Sequence, residues 1–173
     1  MPRSSHAAQT LSALSDRAAN LLSVTIAFAP RFTLASERMG RRAFWRRFGR
    51  LEHERLEFKR SPAALQESVV AMSMNAGGVI LVGVSDDRTI PGWPLDQPSL
   101  DRIACVAHET GVPVQTRQLH VRGTPVVMIT VPRVADRVVT TSDGRILRRL
   151  GSANQPLRGE AVARFVLART ASC

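Results

Sequence analysis

The chain has 173 residues, 44% apolar and 22% charged, with 24 basic against 14 acidic side chains and a formal net charge of +10. This length suits one self-standing core, while the composition and the lack of any long apolar run exclude fibres, mucins and membrane-spanning helices. The cationic excess points to polyanions, nucleic acid first and an anionic membrane surface second. All the basic residues are Arg except Lys59. The planar Arg fork grips phosphate bidentately, although a coding bias would produce the same excess. The cysteines, Cys105 and Cys173, lie far apart and form no CxxC, so free thiols and a cytoplasmic location are expected.

Residues 1–49 read as an N-terminal extension. Met1–Asn20 is rich in Ser and Ala, and the apolar run Leu21–Ala29 stops at Pro30. The long polar lead with Asp16 favours an appended helix over a signal peptide. In RRAFWRRFGR, Arg42, Arg46 and Arg50 recur every four residues beside Arg47, and Phe44, Trp45 and Phe48 share another face. This basic amphipathic helix can lie on a phosphate backbone or on an anionic bilayer, the latter being the less expected partner. It can equally pack its aromatics on the domain with its arginines solvated. Charge is concentrated here, with 12 basic and 5 acidic side chains in residues 1–60.

A domain over residues 50–170 follows. Arg55–Lys59 alternates, placing Leu56 and Phe58 on one face of a strand and Glu57 and Lys59 on the other. Ser61-Pro62 reads as N-cap and first residue of a helix carrying Leu65, Val69 and Met72. Gly77-Gly78 ends that helix through the positive φ that glycine permits, rather than cradling phosphate. Val79–Val84 is an apolar strand and Ser85–Arg88 a turn. A helix from Ser99 to Glu109 precedes two strands, Val114–Val121 and Pro125–Val131, joined as a hairpin at Arg122–Thr124. A short strand, Ile146–Arg149, and a helix from Arg158 to Arg169 complete an α+β fold: a mixed, largely antiparallel sheet with helices packed on one face.

The sequence lacks the P-loop, the GxSxG elbow, HExxH and the EF-hand pattern, so ATP, serine-hydrolase and zinc-protease chemistry have no basis in it. The informative stretch is Glu52–Lys59, followed by Asp86 at the end of an apolar strand. Carboxylates gathered with one ammonium at strand ends could hold Mg²⁺ or Mn²⁺ for phosphodiester hydrolysis, with Lys59 stabilising the transition state. For Glu52 and Glu57 to reach one metal, the chain must bend between them. The alternative is that Glu52, Glu54 and Glu57 counter nearby arginines, and that Asp86 and Asp87 form a turn. Arg148 and Arg149, with Ser152 and Asn154 in the small polar loop that follows, either contact phosphate or make a solvated turn.

LEFKRS, then AMSMNAGGVILVGVSDD, then RRLGSANQ resemble, in that order, the Schlafen AlbA-type domain over about residues 50–168. The resemblance implies nucleic-acid binding and, by analogy with members that cut tRNA and rRNA, a metal-dependent endoribonuclease acting on structured RNA such as tRNA. Its catalytic and metal-binding acids would fall on Glu52, Glu57 and Asp86, with Lys59 matching the family lysine. The sequence departs from the family pattern at Met74, where the pattern has Asn, and at Arg88, where it has Gly after the aspartates. Relatives that clasp RNA with two copies of the domain imply a homodimer here. The alternative function is a non-catalytic DNA-binding or transcription-regulatory domain.

Overall fold

A computed structural model describes residues 31–170. The expected helix at Leu21–Ala29, and Cys173, lie outside these residues. In chain order the elements are β1 (Arg31–Met39), α1 (Arg41–Phe48), β2 (Leu56–Lys59), α2 (Leu65–Ser73), β3 (Gly78–Val82) and α3 (Gln97–Thr110). They continue with β4 (Gln115–Val121), β5 (Thr124–Val131), β6 (Leu147–Leu150), β7 (Ala153–Pro156) and α4 (Glu160–Thr170).

Five strands form one sheet in the order β1-β4-β5-β3-β2. The central ladders, β4–β5 and β5–β3, are antiparallel, and the outer pairs, β1–β4 and β2–β3, are parallel. β6 and β7 make a separate antiparallel hairpin. The fold is thus the expected α+β arrangement around a mixed sheet.

Alternation along the strands builds two cores. Ile80, Val82, Val127, Ile129 and Val131 meet α2 and α3, with Phe165 of α4 at the margin. On the opposite face, Leu56, Phe58, Leu81, Leu119, Val121 and Val126 meet Phe44 and Trp45 of α1. The three helices after residue 60 therefore share one face as expected, while α1 covers the other. Its aromatics lock edge to face, with ring centroids 5.0 Å apart for Phe44–Trp45 and 5.8 Å for Trp45–Phe58. β1, which the sequence does not announce, pairs with β4, so residues 31–48 are built into the sheet and its core rather than appended to them.

Local chemistry sets several boundaries. α2 begins at Leu65 rather than Pro62, with no side-chain cap, because Ser61–Ala64 forms a turn. Asp96 caps α3 by accepting the Ser99 N–H, and Gly111 ends it in the left-handed conformation. Gly77 follows α2 with φ 68°, and a Cβ there would lie 2.6 Å from the Val131 carbonyl oxygen. That approach to the β5 backbone is open only to glycine. Arg122 and Gly123, both at positive φ, close the β4–β5 hairpin in two residues.

Candidate functional site

β2 and β3 are adjacent parallel strands joined through α2, and their carboxyl ends open toward one loop. Crevices at such strand ends are where α/β sheets hold ligands. The Lys59 carbonyl accepts from the N–H of Gly83 at 2.7 Å and of Val84 at 3.2 Å, which pins the segment after β3 to the end of β2. Phe58, Lys59, Arg60, Ser85, Asp86, Asp87 and Thr89 line a cleft of about 470 Å³ there. Asp87 is the turn former: its Oδ1 accepts from the Thr89 N–H and hydroxyl, and these bonds, the hydroxyl first, hold its carboxyl below the usual range. Asp86 is exposed beside it.

Beside the cleft lies a buried polar network. The pleat of β2 sends Glu57 toward α2, where the residue is 4% exposed. Glu57 Oε1 accepts from Ser68 Oγ at 3.1 Å and pairs with Lys59 Nζ at 2.7 Å. Its Oε2 faces Arg149 Nη2. Arg149 points inward from β6 while Arg148 points out, and it donates to Asn154 Oδ1 at 2.8 Å and to the carbonyls of Leu56 and His53 at 3.1 and 3.2 Å. Asn154 Nδ2 donates to Ser68 Oγ at 3.2 Å and completes the ring. The network joins LEFKRS to RRLGSANQ. Arg149, expected on phosphate, is therefore internal: it is 1% exposed and its two Nη groups donate to the protein itself, while Asn154, expected there too, is half-buried and bonded to Arg149 and Ser68. Arg148 and Ser152 remain exposed on the hairpin. The polar loop expected after Arg149 is strand β7, turned back at Gly151.

The bend required between Glu52 and Glu57 is present. His53 and Leu56 bond each other's backbone at 3.1 Å in both directions, which folds Glu52 back so that its Oε1 accepts the Phe58 N–H at 2.7 Å. Burial pushes the Glu52 carboxyl above its ordinary range, and the charges of Glu57 and Asp86 push it further; the Phe58 N–H and Arg149 oppose them. The folded state thus holds this proton more tightly than the unfolded chain does. Stability from Glu52 is present at pH below the ordinary glutamate range and falls as pH rises through the raised value. Glu52→Gln cannot titrate, so its Tm should gain on the wild type from pH 4 to 7 in parallel thermal melts; a difference that stays constant with pH would contradict the assignment.

Glu57 and Asp86 each come near enough to Glu52 to repel its charge, yet the three do not fit a divalent ion as they stand. Both oxygens of Glu57 already face cations, and one oxygen of Glu52 holds a backbone N–H. Among the described residues, no three of His, Cys, Asp and Glu are grouped to hold a metal. Lys59 acts here as the neutralising partner of Glu57.

The arginines of α1 divide. Arg42 and Arg46 are exposed on the helix and Arg50 just beyond it, whereas Arg47 pairs with Glu37 at 2.6 Å. No helix among the described residues is long and apolar enough to cross a membrane.

No curated protein matches the chain. Among solved structures, the DIP2311 protein from Corynebacterium diphtheriae is similar, with a TM-score of 0.51 and 22% identity over 60% of this chain and 25% of that one. The chain thus spans about a quarter of that protein's length, and the likeness speaks for the fold alone. The family model described as Schlafen, AlbA_2 matches residues 52–158, from the bent glutamate through the β6–β7 hairpin. With well over half of its length inside that match, the chain belongs to the Schlafen AlbA_2 family.

Proposed function

We propose that this chain binds nucleic acid, with folded RNA as the favoured class, through the arginines of α1 and the cleft at the ends of β2 and β3. The observation that carries this reading is the solvated face of α1. The helix buries Phe44 and Trp45 and leaves Arg42, Arg46 and the following Arg50 exposed, with no carboxylate partner among the described residues. The cleft carries both signs of charge, Lys59 and Arg60 beside Asp86 and Asp87, and Ser85 Oγ there is buried without a hydrogen-bond partner among the described residues. Such a surface grips phosphates by charge and shape, which suits structured RNA, whose deep groove side chains do not read.

Binding of a tRNA transcript should weaken steeply with salt. Replacing Arg42, Arg46 and Arg50 together by Gln should lower the slope of log K against log [salt] by roughly 0.7–0.9 for each phosphate that is no longer neutralised. An unchanged slope in a folded triple variant would rule out α1 as the RNA-binding element.

Metal-dependent cleavage of that RNA is the second reading; the nearness of Glu57 and Asp86 to Glu52 speaks for it, and the pairing of both Glu57 oxygens with Lys59 and Arg149 speaks against it unless those partners move. Incubation with Mn²⁺ or with chelator separates the two. RNA left intact under both conditions supports binding alone. Cleavage that needs the metal and disappears in Asp86→Asn would establish the nuclease.

A further inference from the structure

Deepening the nucleic-acid reading, on which it rests, we propose that Arg41, Arg42, Arg50 and Arg88 form a seat for a phosphomonoester dianion, the terminal phosphate of a nucleic-acid strand. With Trp45 they line a cavity of about 250 Å³ between the start of α1 and the loop after β3. Among the described residues none of the four guanidiniums has an ion-pair partner. Arg41 and Arg42 also occupy the first turn of α1, which contains no acidic residue and whose N-cap, Gly40, offers no side-chain acceptor. Two cations thus sit where the helix dipole is itself positive, and among the described residues no carboxylate pairs with either; Arg41 donates only to the Arg88 carbonyl. An anion in the cavity would offset them.

Arg88 reaches the cavity from the turn after β3. It adopts φ 68°, the left-handed conformation, as Arg122 does in the β4–β5 turn. The loop around it is well bonded: the Arg88 N–H donates to the Ser85 carbonyl at 2.8 Å, the Ser85 N–H to the Thr89 carbonyl at 3.0 Å, and Arg41 Nη2 to the Arg88 carbonyl at 3.0 Å. That geometry separates charges along five residues. Asp86, Asp87 and Thr89 line the cleft beside Lys59, and Arg88 lines the arginine cavity. The acidic groups on the loop therefore do not line this second cavity.

Charge selects the ligand. A phosphodiester within a strand carries one negative charge, whereas a terminal phosphate carries about 1.5 to 2 at neutral pH and exposes three oxygens. Four arginines lining one concave site match the second better, because forked donors can take several oxygens of one group at once. A strand end also fits a pocket, where a continuing backbone would need an open groove. Three of the four arginines precede residue 52, so the site combines the segment before the family match with a loop inside it.

The test measures binding of the full chain to one internally labelled RNA prepared with a 5′-phosphate, with a 3′-phosphate, or with hydroxyls at both ends, and competition by inorganic phosphate and by a nucleoside 5′-monophosphate. A phosphorylated end should bind roughly tenfold tighter than the hydroxyl-ended strand, the gain of one or two charge-assisted hydrogen bonds. The monophosphate should erase that difference at lower concentration than it displaces the hydroxyl-ended RNA. Arg88→Gly removes one guanidinium and relieves the positive φ, so a stable variant that loses the preference supports the seat, as does loss of preference in Arg50→Gln. Equal binding of all three RNAs by the wild type overturns this proposal and leaves the nucleic-acid reading intact, and a preference that survives both substitutions overturns it too. If no RNA binds while the monophosphate does, both the strand-end assignment and the nucleic-acid reading fail.

Discussion

Glu57→Ala is expected to cost about 3–5 kcal/mol of stability, because it strands Arg149 as a buried, unpaired charge. For a chain of this size that lowers Tm by roughly 10–15 °C, read by thermal or denaturant unfolding. The two cations around Glu57 differ in how they tolerate its loss. The Lys59 side chain is 21% exposed and can turn to solvent; that of Arg149 is 0% exposed and cannot. Pairing Glu57→Leu with Arg149→Met should therefore recover much of the loss, since apolar groups of similar volume can replace a buried ion pair at little cost. If the double variant were as unstable as the sum of its single substitutions, Glu57 and Arg149 would be acting independently. The same interactions decide how activity is tested. A Glu57 variant that fails to bind or cut RNA reports first on the integrity of the hairpin and β2, whereas exposed Asp86 can be altered without opening the core.

Phe44→Ala is expected to cost about 3–5 kcal/mol, the range for truncating a fully buried aromatic. Phe44 is 0% exposed and packs with Phe48 at a ring separation of 5.1 Å as well as with Trp45. Denaturant titration would show a shifted midpoint with unchanged slope if α1 unfolds together with the sheet. Were residues 31–48 an appendage, the main transition would not move. The proposed RNA-binding surface depends on this packing, because the arginines of α1 keep their positions only while its aromatics stay docked.

Much of the fold is legible in the residue pattern. The period-2 run from Leu56 to Lys59, the apolar strand after Gly77-Gly78, the helix read over Ser99–Glu109 and the β4–β5 hairpin all follow from local chemistry, and the structure has each with shifted ends: the helix spans Gln97–Thr110, and the turn is Arg122-Gly123, with Thr124 already in β5. The pattern is weaker where pairing partners decide. β1 has no clear alternation and includes a register shift between Thr33 and Glu37, and it is a strand because β4 offers it an edge. β7 is polar and mostly exposed, and it exists because Gly151 turns the chain back along β6.

The site divides in the same way. The sequence alone determined the family motifs, the shared face of Glu57 and Lys59, the need for a bend after Glu52 and the concentration of arginine near residues 41–50, since all of these depend on spacing within a few residues. Only the tertiary structure decided what those groups do. It turned Arg149 inward to Glu57 across more than ninety residues and left Arg148 outside, and it brought Arg88 to line one cavity with Arg41, Arg42 and Trp45. The physical reason is that the role of a charged side chain depends on how much water and which counter-charges surround it. Both are properties of the packed chain and not of its neighbours in sequence.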